Sequence, residues 1–332
     1  MTRRAITGYD FVVLADVPAV PRSICITRDR SLRRALRRTL NAAGADVSFC
    51  DELDDADLEG ARLLFVDGET CQRAPAALLE RLSEGGRLVV LGDSFENDDA
   101  VTLLHNDRIN HVIGRHQGDD DAELWVTSVK LLSGDLFGLE KYLAWGVKLH
   151  ELEVGSYEEK RDALAAVASH ARQVGARRSM LSRIESATDE LLMNAIYDAP
   201  AAREGGVSSA RVARSTNSPF ADEPALLRYA CDGRHFAVSV QDSYGELHKR
   251  AILDHLIRAR TEKGRPKLVE PGGAGLGLYF IVSSATRFIA NIAPKERTEI
   301  ICLFDLDQSG AKAPPGARSI HIFTSDELVP TA

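Results

Sequence analysis

The chain has 332 residues, room for about two domains, and its 44% hydrophobic and 27% charged side chains fit a protein that buries a core. A net charge of −8 excludes nucleic-acid binding through bulk positive charge, and no run of about 18 apolar residues exists to cross a membrane. The five cysteines (Cys25, Cys50, Cys71, Cys231, Cys302) have no metal-ligand spacing, so reduced thiols in a cytoplasmic protein are expected.

Residues 1–22 carry two prolines and little periodicity and read as a lead-in. From Ser23 strands and helices alternate. Strands are expected at Ile24–Thr27, Val47–Cys50, Leu63–Val66, Leu88–Leu91 and His111–Ile113. Helices are expected at Ser31–Ala43, stopped by Gly44, then at Pro75–Leu82, Ala100–His105 and Asp121–Leu132. This pitch predicts a doubly wound parallel sheet. Arg28, Arg30, Arg33, Arg34, Arg37 and Arg38 cluster on the first helix, where a solvated face is favoured over a docking surface for an acidic partner. Leu139–Leu152 is amphipathic and predicts a helix joining the two halves.

Glu158–Asp198 predicts one or two long helices with a break at Gly175, and Ile184, Ala187, Leu191 and Ala195 form the apolar stripe. Glu190 and Asn194 are four apart and share a face beside that stripe. A carboxylate and a carboxamide at a core edge are costly unless both find partners. A hydrated Mg²⁺ carrying a triphosphate would supply them; a hydrogen-bonded surface pair is the plainer alternative. Leu226–Cys231 and Phe236–Gln241 form a hairpin around Asp232-Gly233, ending at Asp242-Ser243-Tyr244-Gly245. Asp242 is placed to accept from an adenine amino group, or simply to close an Asx turn. Residues 246–270 read as a basic loop with Lys249, Arg250, Arg258, Arg260, Lys263, Arg265 and Lys267. Gly272-Gly273-Ala274-Gly275-Leu276-Gly277 follows and opens into an apolar segment, the pattern of a loop whose bare backbone approaches phosphate at a helix N-terminus. Strands are expected at Arg287–Ile292 and Thr298–Phe304, and one more, Ser319–Phe323, in the tail.

The order of these motifs resembles the GHKL superfamily, the histidine-kinase-like ATP-binding fold, over residues 156–306. Glu190-Leu191-Leu192-Met193-Asn194-Ala195 is similar to its N box, Asp242-Ser243-Tyr244-Gly245 to its first glycine box, and Gly273-Ala274-Gly275-Leu276-Gly277-Leu278 to its second. The resemblance implies a mixed sheet covered on one face by helices, with ATP and Mg²⁺ as cofactors. It implies Asn194 as the Mg²⁺ ligand, Glu190 as the general base and Asp242 on the adenine. It further implies Gly245, Gly273, Gly275, Leu276 and Gly277 around the nucleotide, with the basic loop 246–270 as lid. Tyr244 and Glu246 depart from the first glycine box, and Asp198 replaces a basic residue or histidine.

Residues 23–135 resemble a response-regulator receiver domain, with Asp67 in the place of the phosphoacceptor. Only Asp29 remains of the Mg²⁺-binding acids, Gly92 replaces the expected Thr or Ser, and Arg115 the expected lysine. A pseudo-receiver kept for docking is therefore favoured over phosphorylation of Asp67.

The expected organisation is α/β throughout: a lead-in (1–22), a receiver-like domain (23–135), a linker helix (136–158), an ATP-binding domain (159–308) and a tail (309–332). The expected function is an ATP-binding signalling regulator. It is serine-kinase-like and acts on a protein partner, with no nucleic acid or membrane involved and a homodimer left open. A non-catalytic, ATP-gated interaction module is the alternative. A histidine kinase using His170 or His150 is disfavoured, since the room upstream is too short for a two-helix dimerisation hairpin.

Overall fold

The structure is a computed structural model that describes residues 20–73, 75–82, 85–92, 97–115, 121–203, 223–258, 277–307 and 319–327. Its first strands are β1 (Arg22–Ile26), β2 (Asp46–Cys50), β3 (Leu63–Asp67), β4 (Arg87–Gly92) and β5 (Ile109–Gly114). They lie in the order β2-β1-β3-β4-β5, all parallel. In β3, Leu63 and Phe65 enter one core while Leu64 and Val66 enter the other. A strand buried on both faces reads as a continuous apolar run, and helices must cover both sides. Those helices are α1 (Arg30–Ala42), α2 (Gly68–Arg73), α3 (Pro75–Arg81), α4 (Asn97–Leu104) and α5 (Ala122–Ser133). Asp29 caps α1, its Oδ1 accepting from Ser31 N at 2.7 Å and Leu32 N at 3.3 Å.

The second half contributes β6 (His150–Val154), α6 (Tyr157–Gln173), α7 (Arg178–Met193), α8 (Ala199–Arg203), β7 (Ala225–Cys231) and β8 (His235–Asp242). After these come α9 (Lys249–Arg258), α10 (Gly277–Ser284), β9 (Arg287–Ala293), β10 (Arg297–Asp305) and β11 (Ser319–Thr324). The whole forms one eleven-stranded mixed sheet, continuing from β5 as β11-β9-β10-β8-β7-β6. The strand at the junction is β11, antiparallel to β5 and parallel to β9. One face carries a single core to which α2, α3, α4, α6, α7, α9 and α10 all contribute. The other is covered by α1, α5 and the segment around Leu136 and Leu139, which packs with Ala237, Ile289, Ile301 and Leu303 of the second half.

Buried polar groups are matched across the junction. Glu123 of α5 meets Arg287 of β9 at 2.8 Å and His321 of β11 at 3.1 Å. Arg287 and the hydrogen bonds from His321 and Ser319 outweigh desolvation and hold the Glu123 carboxyl down at about 2. Lys130 Nζ donates to Asn291 Oδ1 at 2.6 Å and to Tyr142 Oη at 2.7 Å, and Glu299 Oε2 accepts from Gly138 N at 2.9 Å and Asn291 Nδ2 at 3.0 Å. These bonds tie buried polar groups of the two halves together, with Glu299 Oε1 left without a hydrogen-bond partner among the described residues.

Two expectations about local structure are corrected. The linker helix over 136–158 does not form: Leu139–Tyr142 is a single tight turn and His150–Val154 is the edge strand β6. Gly134, Gly138 and Gly146 all adopt positive φ, which interrupts any helix, and β6 has a use for alternating side chains that the helical reading of Leu152 overlooked. Residues 249–258 are not loop but helix, because Ile252, Leu253 and Leu256 supply an apolar stripe to the core.

Candidate functional site

The long helix pair breaks at Gly175 (φ 84°) between α6 and α7. α6 starts in a capping arrangement: Ser156 Oγ accepts from Glu159 N at 3.2 Å, and Glu159 Oε2 accepts from Gly155 N at 2.8 Å. α7 buries Ile184, Ala187 and Leu191 and leaves Glu190 half-buried. Beyond Met193 the helix widens to a π-turn over Asn194–Asp198, where Ala199 N donates to Asn194 O. The cause lies in the sequence. Pro200 has no N–H to give to Ile196, and its ring would strike that carbonyl, so the chain absorbs an extra residue in the turn. The π-turn packs against β8, the strand that ends at Asp242.

Glu190 is pressed against the start of α10: a Cβ built on Gly277 would lie inside the Glu190 carboxylate. A side chain at 277 would have to displace the Glu190 carboxylate. At the other end of α10, Arg183 donates to Ser284 O. Residues 183 and 190 of α7 therefore grip 284 and 277 of α10 in antiparallel fashion, a cation at the helix C-terminal end and an anion at its N-terminal end. Burial pulls the Arg183 guanidinium below its ordinary value.

Asp242 closes β8 with an Asx turn, its Oδ1 accepting from Tyr244 N at 2.9 Å and Gly245 N at 3.1 Å. Desolvation raises its carboxyl to about 6, with neighbouring Glu246 adding to the rise and the backbone hydrogen bonds opposing it. Gly245 adopts φ 63°, and a Cβ there would meet the backbone of Ala293, Lys295 and Glu296 in the turn between β9 and β10. Tyr244 is buried, with the Arg203 guanidinium 5.8 Å from its ring centre. Gly273, Gly275 and Leu276 lie outside the described residues. Among the described residues, no three His, Cys, Asp or Glu side chains form a group able to hold a metal ion. The Asn194 carboxamide offers a single side-chain oxygen.

The two candidate histidines stand together. His150 of β6 and His170 of α6 have ring centres 4.6 Å apart and close on Tyr229, while His170 also meets Phe236. Desolvation, and then the neighbouring His150, lowers the His170 pKa. A groove of about 430 Å³ between α6 and α7, lined by Leu164, Ala168, Arg172, Glu185 and Asp189 among others, lies apart from Glu190 and Asn194.

In the first half, Asp67 sits half-buried at the end of β3 and caps α2, accepting from Thr70 N at 2.8 Å. Arginines fill its end of the sheet. Arg33 donates to Thr27 O at 2.7 Å and Cys50 O at 2.8 Å and pairs with Asp51, Arg28 pairs with Glu52, and Arg115 meets Asp121 at 3.0 Å. Sequence reading missed Lys249, Glu123 and Arg183 as structural anchors. For Lys249 the signal was present, as the first residue of an apolar-striped helix.

No protein-family model and no curated protein matches the chain. Among solved structures, the receiver domain of ChxR from Chlamydia trachomatis aligns at 19% identity and a TM-score of 0.27, over 35% of this chain and 98% of that one. A chain of the SiaB–SiaC complex from Pseudomonas aeruginosa aligns at 18% identity and a TM-score of 0.34, over 54% of this chain and 99% of that one. A fungal multi-domain GH3 β-N-acetylglucosaminidase described as having a glucosamine N-acetyltransferase region aligns at 9% identity and a TM-score of 0.27, over 70% of this chain and 26% of that one. Among the described residues no helix is long and apolar enough to cross a membrane.

Proposed function

We propose that the second half binds Mg-ATP in a GHKL-type site and that the protein is a signalling regulator working on a protein partner. One observation carries this reading: Glu190 and Gly277, from motifs far apart in the chain, meet in direct contact. A nucleotide there would place its adenine amino group on Asp242 and its phosphates at the N-terminus of α10, with Mg²⁺ between the phosphates and Asn194. Bound Mg²⁺ would neutralise charge on the phosphates. Glu190 would then orient and deprotonate the attacking hydroxyl. The first half, whose strand-end acids are matched by arginines, serves as a docking body rather than a phosphoacceptor.

The contact of Glu190 with Gly277 also favours the second reading, an ATP-gated scaffold, because a carboxylate committed to a helix N-terminus is not poised as a base. Calorimetry with Mg-ATP tests the site, and ADP release separates the two readings. Asn194→Ala and Asp242→Ala are expected to weaken binding at least about ten-fold, the loss of a hydrogen bond or ligand to a charged partner. Glu190→Gln is expected to keep binding and abolish turnover under the kinase reading, or to leave a turnover-free protein unchanged under the scaffold reading. Unaltered affinity in both binding-site variants would refute the nucleotide site.

A further inference from the structure

Helix α9 touches both halves. Lys249, its first residue, donates from Nζ to Asn106 O at 2.6 Å and to Ile109 O at 2.8 Å, in the turn between α4 and β5. Ile109 N donates to the same Asn106 carbonyl at 3.0 Å, so the ammonium is set into an already closed turn. Downstream, Ile252, Leu253 and Leu256 are buried in the core shared by the two halves. α9 packs against α4 on one side and α10 on the other, and α10 begins at the glycine pressed on Glu190. A continuous line of packed elements therefore runs from the 106–109 turn through Lys249 and α9 to α10 and Glu190.

We propose that α9 is a transmission element, through which the α4–β5 turn of the first half sets the geometry of the nucleotide site, and nucleotide in turn reports back to that turn. The inference rests on the nucleotide reading above and adds its regulation. Linkage requires the coupling to be reciprocal: whatever the turn does to nucleotide affinity, nucleotide does equally to the turn. Lys249 is the charged link in this line, an ammonium held by backbone carbonyls of the other half. A partner docking on α4 or β5 would thereby gain or lose affinity as the site fills.

The test uses the full chain and Mg-AMP-PNP, a non-hydrolysable ATP analogue, as probe. Amide hydrogen exchange is followed over residues 106–113, and affinity is measured by calorimetry in wild type, Lys249→Met and Lys249→Arg. The probe is expected to change exchange in the turn of the wild type. Lys249→Met is expected to shift affinity at least about five-fold and to abolish the exchange response, with Lys249→Arg restoring both in part. If the probe binds but exchange over 106–113 is unaltered in the wild type, the coupling is refuted and the nucleotide site stands. If the wild type does not bind the probe, both ideas fall together. The wild-type exchange experiment decides the matter even if Lys249→Met folds poorly.

Discussion

Asp67 and Asp242 make an instructive pair. Each ends a strand of the same sheet, each is half-buried, and each accepts backbone N–H groups from the residues just after it. Their neighbourhoods differ. The strand ends beside Asp67 are laced with Arg28–Glu52 and Arg33–Asp51 pairs, so acidic charge is matched locally. Around Asp242 burial raises the carboxyl to about 6, and neighbouring Glu246 adds to the rise. Asp67 thus caps a helix through Thr70 N, whereas Asp242 closes a turn through Tyr244 N and Gly245 N. What sets Asp242 apart is above all the desolvation its position imposes on the carboxylate.

The comparison presumes that the halves are one body, and the largest expected effect tests that. Glu123→Ala would strand Arg287 at the junction and is expected to cost about 3 kcal/mol, read as one cooperative unfolding transition at a lower denaturant midpoint. Two separate transitions would break the presumption. Arg33→Ala removes a guanidinium that ties Thr27, Cys50 and Asp51 together, with an expected cost of about 2 kcal/mol in the same assay. A neutral result would mean that the arginines are ornamental to the first half.

Asp242→Asn sharpens the contrast through pH. A carboxyl whose folded pKa lies above its unfolded value of about 3.9 stabilises the fold fully below that value, and the contribution is lost as pH rises through the folded pKa. The Asn variant has no such loss. Relative to wild type it should gain about 1.5 kcal/mol between about pH 4 and about pH 7, partial exposure having been discounted. A pH-independent difference would show that Asp242 is not raised. The smallest effect expected is that of Asp67→Ala, about 1 kcal/mol for a lost helix cap, measured by thermal melting.

Much of the fold was legible in residue order. The strands β1, β3 and β4 and the hairpin β7–β8 follow from apolar runs and an Asp-Gly turn, and Gly175 marks the break between α6 and α7. The one-turn spacing of Glu190 and Asn194 was readable from the sequence, and Asn194 N donates to Glu190 O. The widening of the helix just beyond was signalled by Pro200. Three glycines at positive φ defeated the linker-helix reading, because a period count does not see φ. The helix α9 was hidden because Lys249, Arg250 and Arg258 give it a basic composition, while its short stripe of Ile252, Leu253 and Leu256 is what folds it.

By itself the sequence determined the alternation of strand and helix, the glycine positions that permit close approach, and the residue types able to meet a nucleotide. These are local properties, set by backbone sterics and side-chain period. Only the tertiary structure decided that β11 joins β5 to β9 and fuses two expected domains into one sheet. It alone brought Glu190 onto Gly277 and set Lys249 into the other half's turn. Such contacts arise from strand pairing and helix packing between segments distant in the chain. No periodicity records them, because the energy that selects them belongs to the assembled core.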